Sequence, residues 1–284
     1  MTHPAPPETY RSVPSAPTAF DQGERHVWED SAVAYADTFG RACAHPVPRL
    51  LDLAEVEAGT RLLDVGTGPG TVAVAARVRG ARVQAVDAEP SMVRAARTAL
   101  PEGAVHLAAL PRLPFADGEF DAVVANFVLN HVGQPRIASR ELRRVVRPGG
   151  RVAVTLWPHP GAPGQALLGR ALRAGGAVRP DHLPPLDHRD DFRRDPAGLV
   201  GVLSWAGLRD IRCEVVRWEH RTTAEEWWRG PDSGVACLGR VVRAQPPARR
   251  DEIRRAFWEL SGEFTAPDGA LLLPHAALLA HGRR

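Results

Sequence analysis

Residues 60–70 read Thr-Arg-Leu-Leu-Asp-Val-Gly-Thr-Gly-Pro-Gly. The apolar run from Leu62 to Val65, interrupted only by Asp64, ends in glycines at 66, 68 and 70. A glycine-rich turn between a strand and a helix lets a ligand approach the backbone closely. The helix expected over 69–80 has Pro69 at its start and Gly80 at its end, the order that helix capping favours. Such spacing also invites a nicotinamide dinucleotide fold. That pattern, however, wants its third glycine three positions after the second, where this chain has Thr71.

Reading outward, RVQAVD (82–87) is a strand ending in a second acid, Asp87, whose carboxylate can accept both ribose hydroxyls of an adenosine. A helix over 89–100 opens with Pro90. A short strand at 104–108, a strand at 120–127, a helix around 135–146 and a strand at 147–157 follow. Strands separated by helices imply an α/β fold, a parallel sheet with helices on both faces.

These segments resemble the class I S-adenosylmethionine-dependent methyltransferases. LLDVGTGPG is similar to their first motif and VQAVDAEPSM to their second. LPFADGEFDAVVANFVLNHV resembles their loop and fourth strand, and LRRVVRPGGRVAV their turn and fifth strand. The likeness covers residues 60–157 and is closest to the branch acting on small molecules, including ubiquinone-type and natural-product enzymes. It implies a Rossmann-like, mostly parallel seven-stranded sheet with a helical lid, and S-adenosylmethionine as cofactor. Gly66 and Gly68 would lie against its methionine moiety, and Asp64 would orient the loop and reach the ammonium through water. Asp87 would hold the ribose diol, and Ala88 and Met92 would pack on adenine, where a thioether suits an aromatic face. Asn126 and Phe127 would border the sulfonium, and Tyr35 would cover the cofactor. Many relatives place an aspartate ahead of the LPF loop to accept from the adenine amine. That place is Ala109 here, so adenine recognition falls to backbone groups near Ala109 and Leu110.

The expected organisation is a disordered tail over 1–20, with five prolines, then an N-terminal helical lid over 21–56 and a cofactor-binding core over 57–157. A C-terminal half, 158–284, would carry substrate-side insertions and the last strands. Helices are expected over 165–174, 195–208 and 247–264 and from TTAEEWWRG, a strand over 209–220, and a final strand or strand pair over 269–282.

Methyl transfer from a sulfonium needs an aligned nucleophile and excluded water, and a base only where the nucleophile must lose a proton. The candidate base is His131, in NFVLNHV just past the fourth strand, since imidazole titrates near neutrality. A structural histidine bonding a backbone group is the plainer alternative. His159 follows the fifth strand and His220 the sixth; a solvated loop histidine is the simple reading of each. Trp28, Trp157, His159 and Trp228 are the substrate-wall candidates. Seven tryptophans against two tyrosines point to an apolar or aromatic substrate. Adjacent Trp227 and Trp228 would sit about 100° apart on a helix, so only one is expected to face a pocket.

Composition narrows the rest. All 36 basic residues are arginine, against 33 acidic residues, for a net charge of +3. With no lysine, Schiff-base and phosphate-loop lysine chemistry is excluded. The arginines are scattered rather than striped, and no Asn/Asp-Pro-Pro-Tyr tetrapeptide follows the fourth strand, which argues against nucleic acid as partner. Three distant cysteines offer no metal site or disulfide framework and suit a reducing cytoplasm. The loop over 182–191 reads as solvated rather than metal-binding. No signal peptide or membrane span is expected. The sequence reading is therefore a cytoplasmic methyltransferase acting on oxygen, nitrogen or carbon of a small, partly apolar metabolite. Three rivals remain: a protein of the same fold that uses the sulfonium for cyclisation or decarboxylation, an NAD-dependent oxidoreductase, and a non-catalytic partner protein that binds S-adenosylmethionine.

Overall fold

The computed structural model describes residues 17–284, so most of the expected tail lies outside the described residues. Its last part is ordered into a helix. Thr18 Oγ1 accepts from the Asp21 amide at 3.1 Å while Asp21 accepts from the Thr18 amide at 2.8 Å, so α1 (Ala19–Trp28) starts inside the stretch read as tail. Three short helices follow: α2 (Ala32–Asp37), α3 (Phe39–Cys43) and α4 (Val47–Leu53).

The alternating segment then forms β1 (Arg61–Val65), α5 (Thr71–Val78), β2 (Arg82–Asp87), α6 (Pro90–Ala99), β3 (Val105–Leu107), β4 (Phe120–Asn126), α7 (Pro135–Val145) and β5 (Val146–Leu156). Helix α5 begins at Thr71, not at Pro69. Gly70 is left-handed at φ 95° and cannot be a helical residue, so Pro69 stays in the turn. Beyond β5 come α8 (Pro163–Ala174), α9 (Pro196–Trp205), β6 (Arg209–Thr222), α10 (Ala224–Asp232), α11 (Ala236–Arg243), α12 (Pro247–Ser261) and β7 (Leu271–Arg283). The final segment is one long strand, and α11 is a helix that no periodicity marked.

The seven strands lie in the order β3-β2-β1-β4-β5-β7-β6. The first five neighbours pair in parallel; β7 runs antiparallel to both β5 and β6. Side chains alternate across the sheet, so adjacent Leu62 and Leu63 enter different cores. Helices α4, α5 and α6 cover one face and α7 and α9 the other. Leu50 and Leu51 of α4 are wholly buried in the first of these cores, so part of the segment expected as lid belongs to the sheet's own layer. A third core joins α1, α8, α10, α11 and α12 to Leu271 and Leu273 at the start of β7. It stands beyond the carboxyl ends of the parallel strands.

Candidate functional site

Between this third core and the strand ends lies a cavity of about 680 Å³. Its lining comes from the turns after β1, β2, β3, β4 and β5, from helices α1, α2, α3, α6, α8, α10 and α11, and from β7. Crevices outside the carboxyl ends of parallel strands are where α/β sheets bind ligands.

The loop after β1 supplies one wall. Gly66 and Gly68 are left-handed at φ 68° and 55°, and both line the cavity. A Cβ at Gly66 would stand 2.4 Å from Val128 Cγ2. One at Gly68 would meet only Tyr35 Cε1 at 3.7 Å and Met92 Sδ at 4.0 Å. Gly68 thus offers bare backbone to the cavity between a phenol ring and a thioether, the surface that the expected cofactor requires. The Asp87 carboxylate closes this wall. Oδ2 accepts from the Gly68 amide at 2.8 Å and Oδ1 from the Glu89 amide at 3.0 Å. Each oxygen keeps a second lone pair for a ligand hydroxyl. Burial pushes the carboxyl up to about 6, against the two amide bonds that favour its charge. Ala88, Met92, Ala109 and Leu110 line the same side.

Asp64 lies elsewhere than expected. It has no exposed surface and does not line the cavity. Its Oδ2 accepts from Thr67 Oγ1 at 2.7 Å, which fixes the loop from beneath, and burial raises it to about 7. Orienting the loop agrees with its position; a water-bridged contact to a ligand ammonium does not.

Asn126 ends β4 and ties three segments together. Its Nδ2 donates to the Cys43 carbonyl at 3.0 Å, and its Oδ1 accepts from Thr155 Oγ1 at 2.6 Å. Thr155 Oγ1 in turn accepts from the Phe127 amide at 2.8 Å. Phe127 is left-handed at φ 58° and stacks on Trp157 with centroids 3.9 Å apart.

The roof is a row of rings from different elements. Trp28 meets Tyr35 edge-on at 5.4 Å and His131 edge-on at 5.1 Å. Glu24 Oε2 accepts from Trp28 Nε1 at 3.2 Å and pairs with His131 Nδ1 at 2.7 Å. The Asn130 amide donates to His131 Nε2 at 2.7 Å. That arrangement places the ring proton on Nδ1, facing the carboxylate. Burial also keeps the Tyr35 phenol protonated, raising it well above its ordinary value.

At the far end stand Trp157, Trp227 and His275, with His159 on the turn after β5. Trp227, not Trp228, faces the cavity. Trp228 is turned toward Phe257 at 5.2 Å and Trp258 at 5.8 Å, in the packing of α12. The two neighbours do diverge as helix geometry demands, but the substrate-wall assignment of Trp228 is wrong. His220 is buried beside Trp227 at 5.2 Å and does not line the cavity. The structure thus gathers Tyr35, Gly66, Gly68, Asp87, Ala88, Met92, Ala109, Leu110, Asn126, Phe127, His131, Trp28, Trp157 and His159 around one space, leaving out Asp64 and Trp228. Glu24, Gln165 and His275 join them without having been singled out, and Trp227 joins as the member of the tryptophan pair that faces the cavity. Among the described residues, no group of three His, Cys, Asp or Glu side chains is placed to hold a metal, and no helix is long and apolar enough to cross a membrane.

Residues 63–154 match the family described as "Methyltransferase domain". The chain is 38% identical to the demethylmenaquinone methyltransferase of Beutenbergia cavernae over 57% of its own length and 70% of that protein. It is 33% identical to an uncharacterized protein of Mycobacterium bovis over 83% of its own length and 86% of that one. Among solved structures, the [4+2]-cyclase SpnF superposes with a TM-score of 0.53 at 19% identity, covering 96% of this chain and 98% of that one.

Proposed function

Since the chain belongs to the class I S-adenosylmethionine-dependent methyltransferases, we propose that it methylates a small, partly apolar metabolite in natural-product tailoring or a related pathway. One observation carries this reading: a single cavity is bordered on one side by Gly66, Gly68 and Asp87 and on the other by Trp157, Trp227 and His275. A wall suited to a nucleoside and a set of aromatic rings share one cavity.

When bound, the cofactor supplies a methyl group already activated by its sulfonium. The chain's task is to place an acceptor against it and to exclude water. Positioning alone supplies about 7–11 kcal/mol of barrier lowering in well-oriented reactions. Asp87 takes the ribose hydroxyls, Ala88 and Met92 pack on adenine, and the amides near Ala109 and Leu110 serve its edge. Asn126 and Phe127 border the transferred group, and Tyr35 closes over it. Trp28, Trp157 and His159 wall the acceptor. Residues 57–157 form the cofactor-binding core, and α1 to α3 with α8, α10, α11 and α12 form the lid. His131 receives the acceptor's proton at Nε2, displacing the Asn130 amide, while Glu24 holds the Nδ1 proton and steadies the cation that forms. The similarity to a demethylmenaquinone methyltransferase is in keeping with a ring-bearing acceptor.

The test is calorimetry with S-adenosylhomocysteine and NADH, followed by product mass from incubations with S-adenosylmethionine. Binding of the first ligand and not the second, and a product heavier by one methylene, is the expected result. A product of unchanged mass would instead indicate cyclisation or decarboxylation on the same fold.

A further inference from the structure

His275 lies in β7, opposite Trp218 of β6, at the end of the cavity away from the glycine loop. It is 3% exposed. Its Nδ1 stands 2.8 Å from the Leu273 carbonyl, which can only accept, so Nδ1 carries the proton. Nε2 is then a lone-pair acceptor, and among the described residues it has no hydrogen-bond partner. The side chains around it are rings: Trp218 stacked at 5.7 Å, Trp227 edge-on at 5.5 Å, His220 at 5.9 Å and Trp157 at 6.1 Å. An acceptor with no protein partner, on a residue otherwise buried, is open to a partner from the cavity. Here the side chain lines a cavity that a ligand can enter.

Resting on the methyltransferase reading, we propose that His275 Nε2 accepts a hydrogen bond from a hydroxyl of the acceptor substrate, and that the acceptor is a flat aromatic compound bearing that hydroxyl. An aromatic, flat acceptor suits the walls, because the rings of Phe127, Trp157 and Trp227 all line the cavity. The hydroxyl follows from the polarity of the free atoms: the neighbouring Trp227 Nε1 and Trp218 Nε1 are donors without a partner, and a hydroxyl can donate to Nε2 while accepting from an indole N–H. A carboxylate or carbonyl has no proton for Nε2, and an ammonium would bring an unpaired charge among indoles. Burial holds the His275 imidazole at about 4, so it stays neutral and remains an acceptor near pH 7. His275 is thus a specificity residue, separate from the Glu24–His131 pair.

The experiment measures binding, not turnover. Equilibrium dialysis of the full chain saturated with S-adenosylhomocysteine compares 2-naphthol with 2-methylnaphthalene, in which a methyl group of similar size replaces the hydroxyl. The wild type should prefer the naphthol by about fivefold to tenfold, the worth of one neutral hydrogen bond. His275→Phe should abolish the preference, and His275→Gln, which returns an acceptor at similar reach, should restore most of it. His275→Leu replaces the phenylalanine variant should circular dichroism show that the latter does not fold. Equal binding of the two probes to the wild type, no binding of either, or a preference that survives in the phenylalanine or leucine variant would overturn the assignment. S-adenosylhomocysteine affinity should be the same in all the proteins; its absence from the wild type would refute the methyltransferase reading instead.

Discussion

Glu24 and His131, 107 positions apart, meet at 2.7 Å between Oε2 and Nδ1. The bond fastens α1 to the turn after β4. A second lies beside it, where Asp21 Oδ1 accepts from the Gly133 amide at 2.7 Å. The roof over the cavity is therefore tied to the strand ends by polar contacts, while Val27 of the same helix is packed into the third core.

If His131 takes a proton, its loss must show in turnover rather than in cofactor binding. His131→Ala should lower the rate by ~10² or more, with S-adenosylhomocysteine affinity changed by less than threefold in calorimetry. His131→Asn can restore a structural hydrogen bond but cannot accept the proton. An asparagine variant with most of its activity intact would mean that the site works by positioning alone. Glu24→Gln should slow turnover less, by about tenfold, because the amide still accepts from Nδ1 but no longer offsets the charge.

Asp87 is expected to tie cofactor affinity to pH. Ribose hydroxyls donate to its charged form, and burial has raised its carboxyl to about 6. Affinity for S-adenosylhomocysteine should be flat above pH 7 and weaken as pH falls through 6, by up to about tenfold per unit. Asp87→Asn should bind at least tenfold more weakly at pH 7.5 and lose the step near pH 6. A step that persists in the asparagine variant would transfer it to another group, such as Asp64.

Shortening the chain separates lid from core. A protein starting at Ser31 lacks α1 but keeps Leu50 and Leu51, which are 0% exposed. Its circular dichroism should keep the sheet and helix signals while methyl transfer falls tenfold or more, because closure completes the site. A protein starting at Val56 loses both leucines. Truncating one such side chain to alanine already costs ~2–5 kcal/mol, against total stabilities of about 5–15 kcal/mol. That protein should not fold. Full activity without α1 would show that the helix is no lid.

His220 sets a pH dependence of stability. Burial, reinforced by the charges of His45 and Arg41, lowers its imidazole to about 4. The unfolded chain, near 6.5, then binds more protons than the folded one in the window between. The contribution of neutral His220 is complete above pH 6.5 and drains away as pH falls toward 4. Asp64 and Asp87, raised to about 7 and about 6, act in the opposite sense over part of that window. The clean measurement is therefore a difference. Melting temperature should fall less between pH 7 and pH 4.5 in His220→Gln than in the wild type, by several degrees. Parallel curves would remove His220 from the account.

The alternating elements from β1 to β5 were legible because periodicity and glycine or proline punctuation act within a few residues. Leu62 and Leu63 already declare a strand buried on both faces, and Asp87 declares its end. The tryptophan pair marks the boundary of that legibility. Helix geometry requires Trp227 and Trp228 to diverge, yet which one faces the cavity depends on where α12 packs, and no local signal carries that. Glu24 and His275 were invisible for the same reason. Each matters only because a distant segment is brought beside it, His131 for one and the Trp157 ring for the other. The shared role of α4 was hidden too, since an amphipathic helix covering a sheet reads like one covering a ligand.

The single chamber has one more consequence. If the cofactor lies against the glycine loop and an acceptor against the tryptophans, as proposed, methyl transfer would take place between two occupants of one cavity. Nothing enters or leaves at that instant, and the combined contents keep their size. The packed walls need not yield during the reaction; the methyl merely changes owner. The contacts between α1 and the β4 turn stand at the border of that cavity.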